Sequence, residues 1–181
     1  MLEQNLFAGF GGQGVLLMGQ ILAYAGMFAG KQVSWLPSYG PEMRGGTANC
    51  HVILSDEPIG SPVVSSASAV VAMNRPSLDK FEDTVRAGGR LFINSSIIDR
   101  KARRGDVETL YVPCNTLAEE LGNARVANMV MLGAYIGRTG CVDTEYVLRA
   151  LREKLGERKA EFLEINRQAL QKGAEAVGSK V

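Results

Sequence analysis

The chain has 181 residues, 46% hydrophobic and 22% charged, with 20 Lys and Arg against 19 Asp and Glu. A chain of this length buries roughly 70% of its unfolded surface as one soluble domain, which excludes disorder or a collagen-like repeat as a description of the whole. The charge is balanced, and the one basic cluster, Arg100-Lys101-Ala102-Arg103-Arg104, runs straight into Asp106 and Glu108, so neither a nucleic-acid surface nor a polybasic membrane surface is indicated.

Asn5 to Gly9 reads as a short apolar strand, followed by a glycine turn and a helix from about Val15 to Phe28 that Gly30 stops. No charged residue occurs from Gln4 to Gly30, and only Glu3 precedes this run. A signal peptide would carry Lys or Arg there, and the glycines and glutamines interrupt what a membrane span would need, about 20 consecutive apolar residues. The run is therefore a buried strand–turn–helix. Lys31 to Leu36 forms a second strand ended by Pro37, a loop with Gly40-Pro41 and Gly45-Gly46 follows, and Thr47 to Leu54 alternates as a third strand. Ala69 to Met73 is a fully apolar strand. Pro76 and Ser77 open a helix to about Arg86 that Gly88-Gly89 terminates. Strands at Arg90–Asn94 and Thr109–Val112 come next, then helices near Thr116–Leu121, Val126–Ile136, Thr144–Leu155 and Arg158–Lys172.

This alternation implies a single α/β domain over residues 1–181. It is three-layered and Rossmann-like, with a mostly parallel sheet, helices on both faces and a helical C-terminal end. Val147, Leu148, Leu151 and Leu155 form one stripe, as do Phe162, Ile165 and Ala169, so the last two helices cover the core; Asp143 or Thr144 caps the first of them. The first helix is apolar on nearly every side, so one side packs on the sheet and the other needs cover from this chain or another subunit.

Cys50, Cys114 and Cys141 form no C-x-x-C pair, and His51 is the single histidine. Structural zinc or an iron–sulfur cluster needs about four ligands, so no metal site is expected on this chain. Scattered thiols without a signal peptide fit a reducing cytoplasm. Cys50 reads as a small buried hydrophobe and His51 as a surface or hydrogen-bonded histidine.

Gly9-Phe10-Gly11-Gly12-Gln13-Gly14 matches G-x-G-x-x-G between a strand and a helix. Free N–H groups at the helix start would attract an anion, phosphate above all. A nicotinamide dinucleotide site wants an acid about 20 residues on, but after Glu3 the next acid is Glu42. NADP through Ser34 and Lys31, another anion, and a purely structural turn all stay open at this point. In Ser38-Tyr39-Gly40-Pro41-Glu42-Met43-Arg44-Gly45-Gly46-Thr47-Ala48-Asn49-Cys50, glycines at both ends would display Glu42 and Arg44, whose plainer reading is a solvated pair.

These two strings, with Ala72-Met-Asn-Arg-Pro-Ser-Leu78 and Asn128-Met-Val-Met-Leu-Gly-Ala134, resemble the gamma subunit of 2-oxoacid:ferredoxin (acceptor) oxidoreductases over nearly the whole chain. The middle string is similar to the 2-oxoglutarate and branched-chain types, less so to the pyruvate and indolepyruvate types. The resemblance implies a multi-subunit enzyme that decarboxylates a 2-oxoacid, makes an acyl-CoA and passes electrons to ferredoxin, with alpha and beta and in some cases delta subunits as partners. Thiamine diphosphate, Mg, coenzyme A and iron–sulfur clusters would sit on those other subunits, and no cofactor on this chain alone. No catalytic residue is expected here. Gly9, Gly11, Gly12, Gln13, Gly14 and Arg44 are candidates for an anion or coenzyme A contact, and Tyr39, Glu42, Arg44 and Asn49 for the subunit interface, together with the first helix. The competing expectations are an independent NADP-binding Rossmann-type oxidoreductase and a non-enzymatic anion-binding regulatory module.

Overall fold

The computed structural model describes residues 1–40, 46–156 and 160–179. β4 (Ala67–Ala72) is buried at every position, which is what a strand of Ala, Ser and Val must be when both of its faces are covered. It lies near the middle of a six-stranded sheet with β1 (Leu2–Phe10), β2 (Gln32–Tyr39), β3 (Thr47–Ser55), β5 (Val85–Asn94) and β6 (Glu108–Val112), in the order β2-β3-β1-β4-β5-β6. β1, β4, β5 and β6 pair in parallel, whereas β3 is antiparallel to both β1 and β2. The sheet is thus mixed, parallel in three of its five pairings.

The helices are α1 (Val15–Phe28), α2 (Arg75–Phe81), α3 (Cys114–Glu120), α4 (Ala127–Thr139), α5 (Thr144–Leu155) and α6 (Ala160–Ala176). Strand alternation divides the core. Phe7, Cys50, Val52, Val71 and Phe92 face the layer built by α1, α3, α4, α5 and α6. Leu6, Ile53, Val70, Leu91 and Ile93 face the other side, where Leu78 of α2 and loop residues Val64 and Ile98 cover them. Both faces carry helix, very unequally.

Several boundaries differ from the sequence reading. Pro37 does not end β2, which runs on to Tyr39. β2 is an edge strand with β3 as its one neighbour, so a proline without an N–H is tolerated on its outer rail. The helix expected to reach Arg86 stops at Phe81, and a 3-10 turn over Glu82–Thr84 leads into β5, which takes in Gly88 and Gly89. Asn74 caps α2, accepting from the Ser77 N–H, so Arg75 and Pro76 form its first turn. Asp143 holds the N-cap position of α5 without a side-chain hydrogen bond. The expected start of the last helix at Arg158 lies outside the described residues, and its end extends to Ala176. Phe162 is nearly half exposed instead of fully on the core stripe.

α4 is buried from Ala127 to Ile136 because α6 crosses it backbone against backbone. A Cβ on Gly173 would stand 1.8 Å from the Val130 carbonyl oxygen, and one on Gly133 would stand 2.0 Å from that of Leu170.

Candidate functional site

The glycine loop follows β1 at the edge where the parallel strands end. α1 leaves β1 toward one face and α2 leaves β4 toward the other, so this edge between β1 and β4 is a topological switch point, the place where open α/β sheets leave a ligand crevice. Here the crevice holds the Gln13 side chain. Its Oε1 accepts from the Phe10 N–H at 2.7 Å and from Asn74 Nδ2 at 3.2 Å, and its Nε2 donates to the Met73 carbonyl at 3.0 Å. The Gly9 Cα lies directly beneath, with space for no side chain between Gln13 and Val15. Gly14 has φ +73°, and an added Cβ there would meet Asn128 Nδ2 at 2.4 Å. Asn128 Nδ2 itself donates to the Gly14 carbonyl at 3.2 Å. Both the backbone conformation and the close approach therefore require glycine at position 14.

A row of amides and hydroxyls continues along the same edge. Buried Asn94 donates to Asn115 Oδ1 at 2.8 Å and toward the Met73 carbonyl at 3.4 Å, and Ser96 meets Thr116 at 3.2 Å. Sequence reasoning did not assign Asn74, Asn94, Asn115 or Asn128 a site role. The signal for two of them lay in the strings 72–78 and 128–134, which the fold brings against the glycine loop.

Tyr39 closes a groove of about 310 Å³ with Phe10, Gly11, Gly12, Leu16 and Leu17, and so stands beside the glycine loop. Asn49 does not join it. Asn49 pairs with Ser38 in register, while Tyr39 pairs with Ala48, so Asn49 and Tyr39 lie on opposite faces of the sheet. Glu42 and Arg44 lie outside the described residues. The residues on either side are tied down at the loop: the Gly11 N–H donates to the Gly46 carbonyl and the Gly40 N–H to that of Thr47. Lys31 and Ser34, the residues an NADP site would use, are remote. Lys31 precedes β2 at the far end of the sheet and pairs with Asp56 at 3.0 Å, and Ser34 lies mid-strand.

The remaining candidates for chemistry are structural. Burial pushes the Cys50 thiol up to about 12, with the neighbouring Trp35 indole pulling weakly the other way. Burial likewise raises Cys114 and Cys141. His51 Nδ1 accepts from the Val64 N–H at 2.9 Å, and burial lowers its pKa. Among the described residues no three His, Cys, Asp or Glu side chains converge to hold a metal ion. No helix among them is long and apolar enough to cross a membrane.

Residues 4–176 match the pyruvate ferredoxin/flavodoxin oxidoreductase family. The chain belongs to that family. Its relatives place it among the gamma-type components. It is 43% identical over 170 residues to the ketoisovalerate oxidoreductase subunit VorA of Methanothermobacter thermautotrophicus, covering 93% of this chain and 35% of VorA. The gamma-type chain thus spans about a third of that relative's length. The 2-oxoglutarate synthase subunit KorC of Methanocaldococcus jannaschii is 35% identical over 154 residues, with 83% of this chain and 82% of KorC covered. The crystal structure of the keto/oxoacid ferredoxin oxidoreductase gamma subunit from Geobacter sulfurreducens superposes with a TM-score of 0.81 at 35% identity, over 97% of this chain and 98% of that one. The mixed sheet with its unequal helical layers is therefore the gamma-subunit fold.

Proposed function

We propose that this chain is the non-redox gamma component of a multi-subunit 2-oxoacid:ferredoxin oxidoreductase. In the reaction the 2-oxoacid loses its carboxyl group as CO2, its acyl carbon becomes bonded to the coenzyme A sulfur, and two electrons reduce ferredoxin. The observation that carries this reading is the family match over residues 4–176. The convergence of Gln13, Asn74 and Asn128, from three strings typical of gamma subunits, at one edge of the sheet supports it.

Thiamine diphosphate with Mg and the iron–sulfur clusters would supply the carbon and electron chemistry from the alpha, beta and, where present, delta subunits. The three thiols of this chain are buried and held protonated, which does not suit cluster ligation. Its own residues position and assemble. Gly9, Gly11, Gly12, Gln13 and Gly14 form the sheet edge offered to a ligand or partner, and Arg44 would provide a guanidinium for a phosphate of coenzyme A or an acid of a partner. Tyr39, Glu42, Arg44 and Asn49 are assigned to contacts with partner subunits, Asn49 from the sheet face opposite Tyr39. The substrate class is a branched-chain 2-oxoacid or 2-oxoglutarate, supported by the VorA and KorC relatives. The complex works in the cytoplasm, and this chain contributes one domain to it.

Replacing Arg44 with Ala separates its two roles. Weakened co-purification with the catalytic subunits assigns it to the interface. Intact assembly with a raised KM for coenzyme A assigns it to the cofactor. A variant that assembles normally with unchanged kinetics removes Arg44 from both.

A further inference from the structure

The outer side of α1 and the adjoining β2 carry an apolar band that no described residue of this chain covers. Met27 is 57% exposed and Tyr39 65%, with Tyr24, Leu17 and Phe10 each above a third. Two neighbouring grooves follow this band. One, of about 350 Å³, is lined by Gln20, Ala23, Tyr24, Met27, Val33 and Trp35, and the other is the 310 Å³ groove beside Tyr39. Among the described residues no charged side chain lines either groove. On soluble monomers an exposed apolar patch of this kind marks an interaction site; charge enters among the described residues at its border, where Glu153 and Lys154 flank Tyr24. Two tyrosines, an exposed Met and the edge of Trp35 are the residue types that dominate interface cores, from which charge is depleted.

Three occupants differ in how well they fit this band. An anionic small molecule finds no cation among the described residues of the 350 Å³ groove, which Ala23, Tyr24, Met27, Val33 and Trp35 line together with Gln20. A second copy of the chain would most simply extend the sheet through the free edge of β2, but Pro37 interrupts the outer rail of donors there. The third is the catalytic polypeptide. VorA carries the matched domain as 35% of one longer chain, so in that relative the domain has a tethered protein neighbour nearly twice its own size.

We propose that the α1–β2 band is the docking surface for the catalytic polypeptide of the oxidoreductase, with Leu17, Tyr24, Met27 and Tyr39 buried in the assembled enzyme. This rests on the gamma-component reading above and assigns the face through which it acts. It also explains why α1 is apolar on nearly every side. α5 covers one flank of α1, and the band is the flank left for the partner.

The test uses the chain co-expressed with the catalytic subunits of the same enzyme. Leu17→Glu and Met27→Glu should each weaken assembly by about tenfold or more, because they place a charge in a desolvated interface core. Val63→Glu and Ile97→Glu, at exposed apolar positions away from the band, should assemble as the native chain does. Met27→Cys gives a milder reading. Its thiol should react quickly with a maleimide in the free chain and at least about tenfold more slowly in the complex, against a low background because Cys50, Cys114 and Cys141 are buried. Equal labelling in both states, or full assembly of the Glu variants, overturns the assignment of this face while leaving the gamma-component reading intact. A concentration-dependent dimer of the isolated chain that protects Met27→Cys, with no protection by the catalytic subunits, gives the band to a second copy and overturns the proposal. Failure of the native chain to assemble overturns both readings.

Discussion

Gln13→Ala removes the side chain that fills the switch-point crevice. Three hydrogen bonds go with it: from the Phe10 N–H, from Asn74 Nδ2, and to the Met73 carbonyl. Each is worth about 0.5–1.5 kcal/mol net, so the three together set an upper bound of about 4.5 kcal/mol. The actual loss is smaller for two reasons visible in the geometry. The Met73 carbonyl keeps Asn94 Nδ2 at 3.4 Å, and the Phe10 N–H is exposed enough for water to replace the amide. The expected cost is about 1–2 kcal/mol, with Asn74 as the main group left short. For a chain of this size that lowers Tm by about 3–7 °C. Urea unfolding should show the midpoint shifting with the slope unchanged, which isolates stability from compactness. Gln13→Glu should fall in between, because it keeps the acceptor for Phe10 and Asn74 but turns a carboxylate oxygen toward the Met73 carbonyl. A Gln13→Ala midpoint indistinguishable from that of the native chain would refute the reasoning and show that the amide does not hold the loop.

Gly173→Ala gains about 1 kcal/mol of helix propensity but drives a Cβ into the Val130 carbonyl of α4, so a net loss of about 2 kcal/mol or more is expected, against no loss for Gly60→Ala in open space; thermal unfolding of both variants checks it. Glu82 is fully buried; burial alone would raise its pKa, yet the Arg103 N–H and the Arg100 guanidinium outweigh this and hold it below the ordinary carboxylate value. Its folded pKa is depressed, so its stabilisation is present above about pH 4.5 and disappears as pH falls through the folded pKa, and Glu82→Gln should cost about 2–4 kcal/mol at pH 7 with a flatter acid limb in a pH series of unfolding curves. His51 also titrates below its ordinary value, but as a base. The unfolded chain therefore binds the proton first, stability declines as pH drops below about 6.5, and protonation removes the acceptor for Val64; the protection of the Val64 amide, corrected for its intrinsic exchange rate, should fall as pH is lowered through the folded His51 pKa, and in His51→Ala it should be low at every pH.

Where local pattern and tertiary role agreed, the sequence was readable. α1 starts and stops at Val15 and Phe28 as expected, because the loop glycines and Gly30 leave the chain no other helical path. Val52 and Leu54 alternate with His51 and Ile53 because β3 separates two different cores. Boundaries failed where a non-local partner overrode a local signal. Pro37 breaks a strand only if its N–H is needed, and at the sheet edge it is not. Gly88-Gly89 reads as a helix stop, but the pair lies in an irregularity of β5 between Val85 and Arg90, whose pairing with β4 on either side carries the strand through it. The site was half legible. The glycine pattern located the loop, yet nothing local reveals that Gln13 turns back onto Asn74, a residue 61 positions away. Tyr39 and Asn49 looked like neighbours in one string, and the register alone separates them onto two faces. The close α4–α6 crossing had a signal in Gly133-x-x-x-Gly137 and Gly173, which becomes meaningful only once the two helices are known to meet.

The most direct test of the central claim is 2-oxoacid- and coenzyme A-dependent reduction of ferredoxin by the catalytic subunits, measured with and without this chain. The account predicts that the catalytic subunits alone are impaired, that adding the chain at stoichiometric amounts restores turnover, and that a branched-chain 2-oxoacid or 2-oxoglutarate supports the highest kcat/KM. Full activity in its absence, or NADP-dependent turnover by the chain alone, would contradict it.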